Sequence, residues 1–180
     1  MAGIKTHPTF REVAPELPEK IESLIVEDWF SEVRHRITEV GVFGSFASPY
    51  KEINADSDVD VLLVVEDWPN RYVMSVGPWL FPDWLLKSGI GMLGMAGNSR
   101  ALDYGPRQEV NDLDISPEMG KALRKCVTKG GIDVAGETRR VDIGVGTPEQ
   151  ADEVHREAPV NRHEYAPVWR SDEGCKEYEK

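Results

Sequence analysis

The chain has 180 residues, with 32 Asp and Glu against 21 Lys and Arg and a formal net charge of −11. Its size suits one domain with a substantial core, and shares of 40% apolar and 29% charged residues are those of a globular protein. The acidic balance argues against a broad groove for nucleic-acid backbone, which Lys and Arg build. No apolar run reaches membrane-spanning length, and the N-terminal stretch lacks the apolar core of a secretory signal, so a cytoplasmic protein with no membrane partner is expected. Cys126 and Cys175 stand far apart, as free thiols of a reducing compartment rather than a disulfide or zinc pair.

In chain order, residues 1–17 carry Pro8 and Pro15 without a period and are expected to form an irregular arm. From Pro18 the apolar positions Ile21, Leu24, Ile25, Trp29, Val33 and Ile37 recur at helical steps, with Pro18 in the first turn. His35, near the end of that helix, reads as a solvated or dipole-stabilised residue. A strand over Val40–Phe43 then ends in Gly44-Ser45, and a polar loop leads to a second strand that opens Asp58-Val59-Asp60 and runs through Val65. Alternation along a strand puts Asp58 and Asp60 on one side, about 7 Å apart. Two such carboxylates repel unless they are solvated or bridged by a cation. The Gly-Ser turn supplies close backbone approach and a hydroxyl, the means of holding phosphate.

Beyond a break at residues 67–70, Trp79, Phe81 and Trp84 stand among prolines and read as core rather than as a base-stacking pocket. Gly89, Gly91 and Gly94 imitate a dinucleotide fingerprint without the strand that should precede it, and Met92, Leu93 and Met95 line a loop or a small strand. Arg100 and Arg107 read as surface residues. Residues 108–115 alternate as a short strand carrying Asp114. Ser116 caps a helix that ends at Gly130-Gly131, with Lys121, Arg124, Lys125 and Lys129 on a solvated face. Thr138–Gly146 is a strand carrying Asp142, and residues 148–157 form a terminal helix ahead of a charged tail over 159–180.

The motif Gly44-Ser45-Phe46-Ala47, followed by Ser57-Asp58-Val59-Asp60, resembles the signature of the DNA polymerase β-like nucleotidyltransferase superfamily. The small antitoxin-type, or minimal, members match best. The sequence departs from them at Ser48-Pro49, where they commonly carry Arg-Gly. The resemblance implies an α/β (α+β) fold with a small mixed sheet and helices packed against it, occupying residues 18–158. It implies Mg²⁺ or Mn²⁺ held by Asp58, Asp60 and a third carboxylate on a later strand. Asp142 is preferred over Asp114 for that slot, because its strand is the more regular. Gly44 and Ser45 would grip the phosphates of an NTP such as ATP. The implied activity moves an NMP to a hydroxyl of a protein, an RNA (a tRNA, for example) or a small molecule. The alternative is an antitoxin-like or catalytically silent protein that binds a nucleotide or a partner. The small size of the chain favours an acceptor supplied by a partner.

Overall fold

The computed structural model describes residues 9–66, 91–96, 116–128, 131–160 and 164–171. Five strands make one mixed sheet: β1 (Ile37–Phe43), β2 (Val59–Val65), β3 (Gly91–Ala96), β6 (Val141–Gly146) and β7 (Ala166–Arg170), in the order β3-β6-β2-β1-β7. The two central strands, β2 and β6, run parallel, and every other neighbouring pair is antiparallel. A separate hairpin joins β4 (Ile132–Val134) to β5 (Glu137–Arg139) through Ala135-Gly136, both at positive φ. Positive φ at both turn residues matches the right-handed twist of the flanking strands. The Ala135 N–H donates to a Glu16 carboxylate oxygen at 3.1 Å, so the start of the chain holds this turn.

The sheet has two covered faces. Val40, Val42, Val59, Val61, Leu63, Val141, Ile143 and Val145 share the main core with the N-terminal helices and with Met119 and Ala122 of helix α3 (Pro117–Thr128). On the opposite face, helix α4 (Pro148–Val160) packs against β2 and β6 with Ala151, Val154 and Ala158 buried. The central strands therefore read as unbroken apolar runs, because both of their faces are covered. By alternation, Asp60 and Asp142 lie on the α4 face of the sheet, opposite Val59, Val61, Val141 and Ile143.

The N-terminal region is helical where the apolar period places it, though not as one α-helix. Helix α1 (Phe10–Val13) buries Phe10, and helix α2 (Leu17–Ile21) continues as a π-helical stretch (Glu22–Trp29) and a 3₁₀ turn (Ser31–Arg36). The Phe30 N–H reaches back five residues to the Ile25 carbonyl at 2.8 Å, the widened bond of a π turn. That widening carries Ile25, Val26, Trp29, Phe30 and Val33 into one core. Ile37, expected to close the helix, instead opens β1. Within the arm expected to be irregular, Phe10–Val13 is helical, and Phe10, Ala14 and Leu17 are buried in the core.

Ser116 caps α3 as expected, its hydroxyl accepting the Met119 N–H at 3.3 Å. Two lysines of that helix are ion-paired rather than only solvated, Lys121 with Glu32 at 2.5 Å and Lys125 with Asp28 at 2.6 Å. The tail expected over 159–180 contains a strand, β7, that pairs with β1. Among the described residues no helix is long and apolar enough to cross a membrane. The aromatic cluster at 79–84, the stretch around Asp114, Arg100 and Arg107 lie outside the described residues.

Candidate carboxylate centre

β1 delivers the chain to the site and Gly44 turns it. Phe43 is extended, Gly44 takes φ +68°, and Gly44–Phe46 form a 3₁₀ turn closed by the Ala47 N–H on the Gly44 carbonyl, which also accepts the Ser48 N–H at 3.0 Å. A Cβ on Gly44 would lie 2.8 Å from Asp60 Cγ and 3.3 Å from Asp60 Cβ, and closer still to Oδ2. Glycine is required here twice over, by its backbone angle and by the carboxylate packed against it. Ser45 follows, half-buried in the same turn.

The loop that returns to Asp58 is braced from below. Asn54 forms an Asx turn, its Oδ1 accepting the Asp56 N–H at 2.9 Å and its carbonyl the Ser57 N–H at 3.1 Å. Arg139, buried between this loop and the hairpin, donates through Nη1 to the carbonyls of Asn54 at 2.6 Å and Ser57 at 2.8 Å. Its Nε donates to the Val134 carbonyl at 3.2 Å, and its guanidinium lies 5.2 Å from the Phe46 ring centre. One side chain thus fixes both the turn after β1 and the approach to Asp58.

The parallel register of β2 and β6 places Asp60 directly beside Asp142. Asp58, one alternation earlier, points to the same side, and carboxylate oxygens of Asp58, Asp60 and Asp142 lie within 4.8 Å of one another. Among the described residues no other three His, Cys, Asp or Glu side chains come together in this way. Asp58 and Asp60 are half-buried and Asp142 is buried. Burial raises the Asp60 carboxyl well above the ordinary range, helped by the charges of Asp58 and Asp142 and opposed by Lys51 and Arg140. Asp142 is pushed up to about 7, first by burial and then by Asp58, against the pull of Arg140. Three carboxyls so crowded resist being charged together until a cation joins them.

Part of that cation is already present. Arg140 Nη2 donates to Asp58 Oδ2 and, at 3.0 Å, to Asp142 Oδ2, and its Nε stands 2.9 Å from Asp142 Oδ1. Burial weakens the charge on Arg140, but Asp142 and Asp58 outweigh it and raise the guanidinium's pKa. No ion pair or hydrogen bond reaches the Asp60 carboxylate among the described residues. The three side chains offer hard oxygen donors close enough together to hold a metal ion, and Asp60 is the one of the three that Arg140 does not pair.

The sequence-derived candidates Asp58, Asp60 and Asp142 thus converge in space, and Gly44 packs onto one of them with Ser45 beside it. Arg139 and Arg140 were not singled out. Alternation was the available signal: Arg140 shares its side of the strand with Asp142, and Arg139 takes the other. A second polar group was also unread. Glu39, buried on β1, accepts from Tyr165 Oη at 2.7 Å and Arg170 Nε at 2.9 Å, and its Oε1 lies 2.9 Å from His155 Nε2. Burial would raise its pKa, but these partners reverse the effect and hold the carboxyl below its ordinary value. Comparison with protein-family models, curated proteins and solved structures returned no match.

Proposed function

We propose that this chain is a metal-dependent nucleotidyltransferase of the polymerase β-like kind, moving an NMP from an NTP to an acceptor hydroxyl. The observation that carries the reading is the convergence of Asp58, Asp60 and Asp142 beside a glycine turn that packs onto Asp60. Chance carboxylate pairs are common on strands. A third, brought into register from a strand distant in sequence, with glycine reserved for the approach, is not accounted for by packing alone.

In this reading Asp58 and Asp60 hold Mg²⁺ or Mn²⁺, and Asp142 completes the set. The bound ion supplies Lewis-acid polarisation of the phosphates and neutralises charge on the leaving group. Gly44 and Ser45 face the β- and γ-phosphates with backbone N–H groups and a hydroxyl. Asp142, in register beside Asp60, accepts the proton of the acceptor hydroxyl. That oxygen forms its bond to the α-phosphorus as the bond to pyrophosphate breaks, and the pyrophosphate departs with the electron pair. The net charge of −11 disfavours long nucleic-acid tracks and suits a protein, tRNA-end or small-molecule acceptor.

Label transfer from each α-³²P NTP with Mg²⁺ or Mn²⁺, in lysate and with purified protein, tests the proposal. Label moving to a discrete acceptor, and lost in Asp58→Asn/Asp60→Asn, supports a transferase. Metal-dependent NTP binding without transfer points to the antitoxin-like or silent alternative. Neither binding nor transfer would reduce the site to a structural corner.

A further inference from the structure

We infer that Arg140 is an internal cation of the carboxylate centre: it occupies oxygens of Asp58 and Asp142 that a divalent ion needs, and its side chain withdraws when the ion binds. This rests on the metal-dependent reading of the site.

The geometry argues for competition rather than a permanent brace. Arg140 hydrogen-bonds Oδ2 of Asp142 at 3.0 Å and Oδ2 of Asp58, and its Nε stands 2.9 Å from Asp142 Oδ1 with no hydrogen bond between them. An ion that draws one oxygen from each of Asp58, Asp60 and Asp142 would stand directly beside the guanidinium, even where it takes Asp142 Oδ1, the oxygen that no hydrogen bond reaches. Two cations sharing those oxygens would also repel each other at close range. The arginine has a way out, since its side chain is 28% exposed while that of Asp142 is 2% exposed. Its backbone, by contrast, is pinned, with the Arg140 carbonyl accepting the Val59 N–H at 2.8 Å. The exchange therefore asks for a rotamer change and leaves the β2–β6 register alone. Only a planar fork reaches two carboxylates at once, so a lysine would hold the same charge more loosely. Asp60, which Arg140 leaves without an ion pair, is the carboxylate from which an entering ion would start.

The test is binding of Mn²⁺ alone to the full chain, read from the free-ion EPR signal. The proteins are wild type, Arg140→Gln, Arg140→Lys and Asp58→Asn/Asp60→Asn. We expect Arg140→Gln to bind Mn²⁺ about 10- to 100-fold more tightly than wild type, with Arg140→Lys between them. In parallel, the Arg140 Nε–Hε NMR signal, assigned by its loss in Arg140→Lys, should shift as Mg²⁺ is added to wild type and stay fixed in the double aspartate variant. If Arg140→Gln does not fold, that signal decides alone. Equal or weaker Mn²⁺ binding by folded Arg140→Gln, or an unmoved Nε–Hε signal while Mn²⁺ binds, overturns the inference and leaves the metal site standing. If no protein shows binding that depends on Asp58 and Asp60, the metal reading itself fails and takes the inference with it.

Discussion

Gly44→Ala isolates the contact between turn and carboxylate. Alanine at φ +68° meets the left-handed backbone penalty, about 1 kcal/mol for a non-glycine residue. The added methyl would also stand 2.8 Å from Asp60 Cγ and 3.3 Å from its Cβ, so rotating the carboxylate aside does not clear it and the strand must yield. Overpacking of that kind costs about 1–3 kcal/mol, which brings the expected loss to roughly 2–4 kcal/mol. In a chain of this size the melting temperature should fall by roughly 5–15 °C. Urea unfolding of a double-mutant cycle separates the two contributions. In an Asp60→Ala background, which removes Cγ and the carboxylate oxygens but keeps Cβ, Gly44→Ala should lose the backbone part and the residual Cβ contact, leaving a coupling of about 1–2 kcal/mol. An equal loss in both backgrounds would refute the contact. A loss below about 0.5 kcal/mol in the wild-type background would refute the turn conformation as well.

Arg139→Met keeps the apolar stem and removes the guanidinium bonds to the carbonyls of Ser57, Val134 and Asn54, the last of which keeps the Ser57 N–H; a loss of about 2–4 kcal/mol is expected, with faster amide exchange over residues 54–58. A variant within about 1 kcal/mol of wild type would show that the loop is held by other means. The carboxyls of Asp60 and Asp142 are raised, so in the metal-free protein the folded state binds more protons than the unfolded state between about pH 4 and 7. Their contribution to stability is therefore complete at low pH and is lost as the pH rises through about 7. Glu39 and Glu16, both lowered, act with the opposite sign, so the readout is a comparison. With EDTA present, the unfolding free energy of wild type from urea titration should fall relative to that of Asp142→Asn between pH 5 and 7.5, by up to a few kcal/mol. Parallel profiles would show that Asp142 is not crowded.

The site was legible in the sequence because its parts are local. Gly44-Ser45 and Asp58-Val59-Asp60 each lie within one turn or one strand, where alternation alone fixes the facing. Preferring Asp142 over Asp114 rested on strand regularity, and the β2–β6 register gives Asp142 its place. What escaped was long-range. No period links Glu39 to Tyr165 or Arg170, which stand 126 and 131 residues away. Strand β7 is five residues long and contains Pro167, which made it look like tail, yet an edge position tolerates proline. The N-terminal period gave a helix correctly, but local spacing does not tell α from π winding; that choice was made by Trp29 and Phe30 finding room in the core.

The placing of β7 has a consequence for how the chain folds. During synthesis β1 and β2 emerge close together, while the strand that covers the other edge of β1 comes last. Through most of that interval β1 offers an unpaired edge of the sort that recruits other chains. Glu39 sits on that edge facing inward, where a foreign strand and its covering layer would have to bury the carboxylate without a partner. Only α4 and the arriving β7 bring His155, Tyr165 and Arg170 to receive it. Gly41 leaves room for the Tyr165 ring that comes with them, where a side chain would collide. The buried acid thus acts as a lock awaiting one key: it discourages the wrong strand early and fastens the right one late.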